Sequence, residues 1–467
     1  MLPSQGLATV RVASPCVFPC PSLSETAMSR RLSFLLVLSL WLGGASVRAA
    51  EPDPKVIDGL VQRALKAWEV PGAAVVVVHN DRVVYLKGFG VRSLDGEARP
   101  VTPDTVFPLS SCTKAFTSLA LAMLVDDGLL DWDDPVRKHL PAFRLADPLA
   151  DANVTLRDLL CHRTGLAAHD FLWYRAPWGA EEQVRRIGLV KPSRSFRSAF
   201  QYQNILFVAA GQAGAAAADE RWEEMVRRRV VEPLGMTSVS FTTTAALKGE
   251  DHTGGHRWGA DGRIVAVPWC PMEQPNPALS INASARDLGQ WLRFQLGDGS
   301  WGSSRLVSAR QLAETHTPQM ALRLEGIDRK EQPCTSLMSY GLGWVIQDYR
   351  GHKLISHGGN IDGVRAHITF APDDQLGVAV LSNLEGTRMN LALAQNILDA
   401  YLELEPRDWN GHFQACMRAR AAAAAAEHRQ RLQKQRPGTK PTLDLAAYAG
   451  TYEEPAYGKA EVVVEDG

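Results

Sequence analysis

Neither sign of charge is in excess: 50 Lys and Arg stand against 51 Asp and Glu, a formal net charge of −1. Without a bulk electrostatic field, nucleic acid and other polyelectrolyte partners lose their main attraction. Cysteine is scarce, seven in 467 residues, and two of those lie in the first 27. The other five, Cys112, Cys161, Cys270, Cys334 and Cys416, are an odd and scattered set, which is no disulfide framework. No CxxC occurs, so zinc-ribbon and thioredoxin-like readings have no anchor. GxSxG, HExxH and the P-loop signature are also missing, which removes the nucleophile elbow, the zincin helix and the phosphate-cradling loop. The nearest metal candidate, His252 and His256 in a Gly-rich loop, has no third ligand beside it and reads as an ordinary polar loop. Neither metal nor cofactor is expected.

Long apolar runs are equally rare. The single one, residues 32–47, is sixteen residues long with two glycines, short of the about 20 that a spanning helix needs. Arg30 and Arg31 precede it and Val47-Arg48-Ala49 follows, so it reads as a secretory signal cleaved near Ala49 rather than a membrane anchor. Met28 sits just ahead of the charged start, which makes residues 1–27 a mis-assigned start and 28–49 the signal. The expected location is periplasmic or secreted, with no membrane span left after cleavage. Composition supports a soluble globular remainder, with 45% hydrophobic and 22% charged residues.

Residues 54–68 show apolar spacing of helical period behind a Pro, and 72–90 contain two β-rich runs split by Asn80-Asp81, a hairpin pattern. From about 104 to 230 the pattern is helical, with candidates at 112–127, 155–161, 204–217 and 220–230. Strand-like runs return at 344–349, 353–356, 365–371 and 376–383, and a helical run at 389–403 closes the region. Strands at both ends with helices between predict a mixed α/β or α+β layered fold: one sheet assembled from both chain ends, with a helical subdomain beside it. The catalytic-sized unit is expected over 50–405. An Ala- and Arg-rich helix or linker follows at 406–440, and 441–467 reads as the opening of a small β domain.

Chemistry concentrates at three places. Ser111-Cys112-Thr113-Lys114 opens an amphipathic run, and Lys114 alone among twelve lysines has a Ser three residues before it. On a helix, i and i+3 share a face, so the amine can reach the hydroxyl. A desolvated Lys with a lowered pKa can take that proton where an ordinary ammonium cannot. Tyr202-Gln203-Asn204 starts another helical run; Tyr202 suits a base or proton shuttle, and Asn204 an amide that orients the Lys or binds a carbonyl. His357-Gly358-Gly359-Asn360 is expected at the end of the strand at 353–356. Its glycines permit close backbone approach, and its N–H groups can join that of Ser111 in holding an oxyanion.

In this order and framing, the elements resemble the serine β-lactamase and penicillin-binding-protein superfamily, nearest its class C-like esterases and D-aminopeptidases. LLCHRTGL (159–166) and VVEPLGMTSVSF (230–241) strengthen the resemblance, which covers about 55–405. It implies a β-lactamase/transpeptidase-like fold, an antiparallel sheet flanked by helices. It also implies Ser111 as the acylated nucleophile, Lys114 and Tyr202 as proton partners, and Asn204, His357, Gly358, Gly359 and Asn360 as substrate-binding or oxyanion residues. Three departures stand out: His357 where many relatives place a Lys, Gln203 where small residues are common, and Leu279-Ser280-Ile281-Asn282 where a Gly-rich stretch is usual. A His is mostly neutral near pH 7, which fits ester or peptide hydrolysis better than β-lactam turnover. The expectation is a serine hydrolase acting on a small-molecule or peptide substrate. Acyl or peptidyl transfer, β-lactam hydrolysis and silent binding of cell-wall fragments are the alternatives. The pocket walls are expected from loops 167–200 and 243–280.

Overall fold

The run GAAVVVV that begins at Gly72 has no polar face, which suits a strand covered on both sides. A computed structural model of the protein describes residues 51–465 and shows that arrangement. In β1 (Gly72–His79), Ala74, Val76 and Val78 enter one apolar cluster, and Ala73, Val75 and Val77 enter another. β2 (Arg82–Gly90) follows across a two-residue turn in which Asn80 and Asp81 hold φ of 52° and 57°. A tight hairpin with the native twist needs both residues left-handed, and Asn and Asp tolerate it.

The late part of the chain supplies β3 (Met320–Ala321), β4 (Met338–Tyr340), β5 (Val345–Tyr349), β6 (His352–Ile361), β7 (Val364–Ala371) and β8 (Leu376–Ser382). The eight strands run in the order β2-β1-β8-β7-β6-β5-β4-β3, every neighbouring pair antiparallel. The expected single sheet built from both chain ends is therefore present. β3 and β4, two and three residues long, are too short to carry a readable alternation.

Helices cover both faces. α1 (Pro54–Trp68) starts with Asp53, whose carboxylate caps the Lys55 N–H, and with Pro54 in the first turn. Its Ile57, Val61, Ala64 and Trp68 form a buried stripe that packs with α5 (Met389–Tyr401) on one face. On the other face lie α4 (Ala285–Leu296) and the helical region that contains α2 (Thr113–Asp126) and α3 (Asn204–Ala218). The Ala- and Arg-rich segment belongs to a longer helix, α6 (Trp409–Gln433), of which only Trp409, Phe413 and Cys416 are buried. Gly450–Glu454 and Gly458–Val462 pair as a terminal hairpin. Among the described residues no helix is long and apolar enough to cross a membrane. The readings of 1–27 as a mis-assigned start and of 28–49 as a signal lie outside the described residues.

One expectation is corrected. The strand expected over 353–356 does not stop before the HGGN string; β6 continues through it, paired with β7 as far as Ile361↔Val364. Glycines normally weaken a strand interior, but here another backbone comes close. A Cβ at Gly359 would stand 2.1 Å from the Leu109 carbonyl oxygen. β5 pairs with β6 only up to Ser356, so beyond that point the residues just before Ser111 take the neighbouring place. Gly359→Ala should accordingly destabilise the fold by about 1–3 kcal/mol, the usual cost of forcing volume into a packed site. Urea unfolding of the variant beside wild type reads it, and an unchanged midpoint would refute the close approach.

Candidate active site

Ser111 lies in a one-turn 3₁₀ segment, Ser110–Cys112, that runs straight into α2. The buried residue before it, Ser110, holds φ of 49°, a conformation costly for a residue with a side chain. Surrounding bonds fix it. The Ser110 hydroxyl donates to the Asn360 carbonyl at 3.1 Å, and the Cys112 thiol reaches the His357 carbonyl at 3.3 Å. Cys112 is fully buried, and burial pushes its thiol up to about 12, so it is a packing residue. The Leu279-Ser280-Ile281-Asn282 segment clamps the other side. Leu109 N–H donates to the Ile281 carbonyl at 2.8 Å, and Ile281 N–H donates to the Thr113 hydroxyl at 3.0 Å. Its departure from a Gly-rich stretch thus accompanies a bonded wall beside the serine.

Lys114 is fully buried. Its amine donates to the Asn204 side-chain oxygen at 2.7 Å and to the Ala278 carbonyl at 3.0 Å, and it stands 3.3 Å from the Ser111 hydroxyl. Both close partners are acceptors only. A neutral amine has two hydrogens and one lone pair, so the two hydrogens go to the acceptors and the lone pair is left for Ser111. Desolvation holds the pKa of Lys114 well below its ordinary 10.5, against the opposing pull of Cys112 and Asp170. The amine also sits 4.8 Å from the Tyr202 ring centroid and 5.5 Å from that of Phe207.

Tyr202 has its hydroxyl buried and, among the described residues, without a well-formed hydrogen bond, the Ser111 hydroxyl being its neighbour. Burial raises its pKa, while the neighbouring Ser111 hydroxyl acts the other way. Phenolate is thus disfavoured at rest, and the basic form belongs to Lys114. His162, from the LLCHRTGL string, packs 4.4 Å from the Tyr202 ring between centroids and accepts the Gln203 N–H on Nδ1 at 3.1 Å. Burial, and Lys114 whenever it carries a proton, hold its pKa well below the usual imidazole range. Gln203 explains its own departure from small residues. Its side-chain oxygen caps α3 at Ile205 N–H, 2.8 Å, and its amide donates to the carbonyls of Ala167 and Ala168, each at 2.6 Å. Asn204 is thereby set at the first turn of α3, facing Lys114.

His357 is buried and doubly bonded. Nδ1 lies 2.8 Å from the Gly358 carbonyl, which can only accept, so Nδ1 carries the proton and Nε2 accepts from the Tyr340 hydroxyl at 2.9 Å. Burial first, and Lys114 second whenever it carries a proton, push its pKa down to about 3. Strand alternation puts His357 and Gly359 on the face of β6 that meets Ser111 and turns Gly358 and Asn360 to the other face. The Asn360 side chain there accepts the Gly386 N–H at 2.9 Å. The structure thus brings Ser111, Lys114, Tyr202 and Asn204 together, lays the His357 and Gly359 backbone alongside, and directs the Asn360 amide elsewhere. Both His256 ring nitrogens are engaged, with Leu94 N–H at 3.0 Å and the Asn383 carbonyl at 2.7 Å. Among the described residues no group of three or more His, Cys, Asp or Glu could hold a metal ion.

The family model described as Beta-lactamase matches residues 57–402. The chain belongs to the beta-lactamase family. An unguisins hydrolase of Aspergillus violaceofuscus is similar, 28% identical over 89% of this chain and 78% of its own length. Protein flp of Staphylococcus aureus is 24% identical over 72% of this chain and 64% of its own length. Among solved structures, an octameric penicillin-binding protein homologue from Pyrococcus abyssi superposes with a TM-score of 0.65 at 25% identity, covering 76% of this chain and 78% of that one. A D-stereospecific amidohydrolase from Streptomyces sp. shares the fold, with a TM-score of 0.59 at 22% identity over 75% of this chain and 98% of that one. The family membership and the β-lactamase/transpeptidase-like fold implied by the motifs are thus shown.

Sequence reasoning missed Tyr340, Ala278 and Asp170 as partners of the family site, and treated His162 only as part of a loop string. Ala278 acts through its backbone, which no side-chain pattern can mark. Gln203→Ala should cost about 1 kcal/mol through the lost helix cap and should also free the 167–168 loop. A thermal melt checks the first effect, and an unchanged Tm would remove Gln203 from this role.

Proposed function

We propose that the protein is an exported serine hydrolase that opens an ester or amide through an acyl-enzyme on Ser111. The carrying observation is the buried Lys114 amine, 3.3 Å from the Ser111 hydroxyl and bonded to the Asn204 side-chain oxygen and the Ala278 carbonyl. Ser111 Oγ attacks the substrate carbonyl carbon while its proton passes to Lys114 Nζ. The backbone N–H of Ser111 and those of the β6 edge hold the oxyanion. As the tetrahedral intermediate collapses, the proton leaves Lys114 through the Tyr202 hydroxyl to the departing oxygen or nitrogen. Water then attacks the ester on Ser111 with the same groups in reverse roles, and the acid is released.

Two features narrow the substrate. His357 is held neutral, so it supplies no fixed positive charge for a carboxylate, which favours esters and amides over β-lactams. The other is a cleft of about 430 Å³ where Trp173, Trp178 and Met272 meet Arg175, Gln183 and Glu273. It lies between the loop of Asp170 and the segment leading to Ala278, and suits a bulky side chain with apolar and polar parts. The match to an unguisins hydrolase supports hydrolysis as the reaction class.

One experiment tests the reading: a fluorophosphonate probe, followed by kcat/KM against pH for esters and amides with small or bulky apolar side chains. Wild type should label and Ser111→Ala should not, with turnover lower by at least about 100-fold. Because Lys114 must be deprotonated to act, activity should be lost as pH falls through a pKa well below 10.5. Equal labelling of both proteins, or an acid limb centred near 10.5, would contradict it.

A further inference from the structure

Asp170 lies outside the motifs, at the start of the one-turn helix Asp170–Leu172, and is exposed. One of its oxygens accepts two hydrogen bonds, from the Asn204 side-chain amide at 3.2 Å and from the Trp173 indole at 2.7 Å. The chain of contacts therefore runs from Asp170 through the two ends of the Asn204 amide to Lys114. That amide has nearly the same shape either way round, so its orientation depends on what faces it. An ionised carboxylate can only accept. It draws the NH₂ end of Asn204 and leaves the oxygen end for the lysine.

The orientation matters because Lys114 must act as a neutral amine. Were the amide turned, its NH₂ would donate to the lysine lone pair, the one position that Ser111 needs. An ammonium would not tolerate the turned amide, but a neutral amine would, so the lysine alone does not hold Asn204 in the productive state. We propose that Asp170 is a positioning residue that locks the Asn204 amide and so keeps the Lys114 lone pair directed at Ser111. This rests on the acyl-enzyme reading of the site.

The loop carrying Asp170 is fixed independently, which suits such a role. Gln203 binds the carbonyls of Ala167 and Ala168, and His169 Nδ1 meets the Tyr457 hydroxyl of the terminal hairpin at 2.6 Å. The titratable groups whose fields meet that of Lys114 are Cys112, Asp170, Tyr202, His162 and His357. Asp170 is the single carboxylate in that set, and it favours the ammonium. Replacing it with Asn keeps an acceptor in place while removing the charge.

The test is the rate of acylation of the full chain by a fluorophosphonate probe and by a p-nitrophenyl ester. Asp170→Ala should acylate up to about 100-fold more slowly, the scale of a misplaced catalytic group, with KM little changed. Asp170→Asn should recover most of that loss, and the acid limb of its pH profile should move to lower pH because the ammonium loses its anion. In an Asn204→Ala background, Asp170→Ala should add nothing further. Wild-type rates in Asp170→Ala, an Asp170→Asn as slow as the Ala variant, or an undiminished loss in the Asn204→Ala background would each overturn the assignment. A wild type that does not label at Ser111 would instead remove the acyl-enzyme reading, and the assignment with it.

Discussion

An amine taken out of water and given two carbonyl-type acceptors is the constraint around which this site is built. Burying an ammonium without a paired anion is expensive, and a protein meets that cost by shedding the proton. Lys114 has no carboxylate in contact; its close partners are an amide oxygen, a backbone carbonyl and two aromatic rings. Those partners replace only part of the water that an ammonium would lose, so burial favours the neutral amine, which is the one form able to accept a proton from a serine. The same burial that holds the lysine neutral raises Tyr202 and lowers His162 and His357. Burial therefore pushes all four potentially charged side chains toward their uncharged forms.

The fold delivers each member from a different element, and the sheet sets their spacing. The 3₁₀ turn carrying Ser111 runs into α2, which carries Lys114; α3 presents Asn204 from its first turn, and β6 passes beside them with a glycine where Leu109 leaves no room for a side chain. Because β5 stops pairing at Ser356, the rest of β6 faces the nucleophile segment rather than another strand. The bonds from Ser110 and Cys112 to β6 carbonyls join the helical region to the sheet at the point where the reaction is placed.

Elements that satisfy themselves locally were legible in the sequence. The Asn80-Asp81 hairpin, the Pro-started α1, the Ser/Lys spacing of α2 and the apolar runs of β7 and β8 each carry their pattern within a few residues. The HGGN string was read as lying beyond its strand, because two adjacent glycines normally end one. What keeps β6 going is its pairing with β7 as far as Ile361, and the glycine is required by the Leu109 backbone, some 250 residues earlier in the chain. Ala278, Tyr340 and Asp170 escaped notice for a related reason: each meets the site through a contact between distant segments, and none sits in a periodic pattern. His357 was legible as a departure from lysine, but its tautomer is set by the Gly358 carbonyl and could come only from the structure.

The central claim is the neutrality of Lys114, and NMR of the protein with ¹³C-labelled lysine side chains measures it directly. Of twelve lysines, one Cε resonance, assigned by its loss in Lys114→Met, should titrate at a pH well below the others and be that of a neutral amine at pH 8. Titration of all twelve together near the ordinary lysine value of about 10.4 would contradict the account.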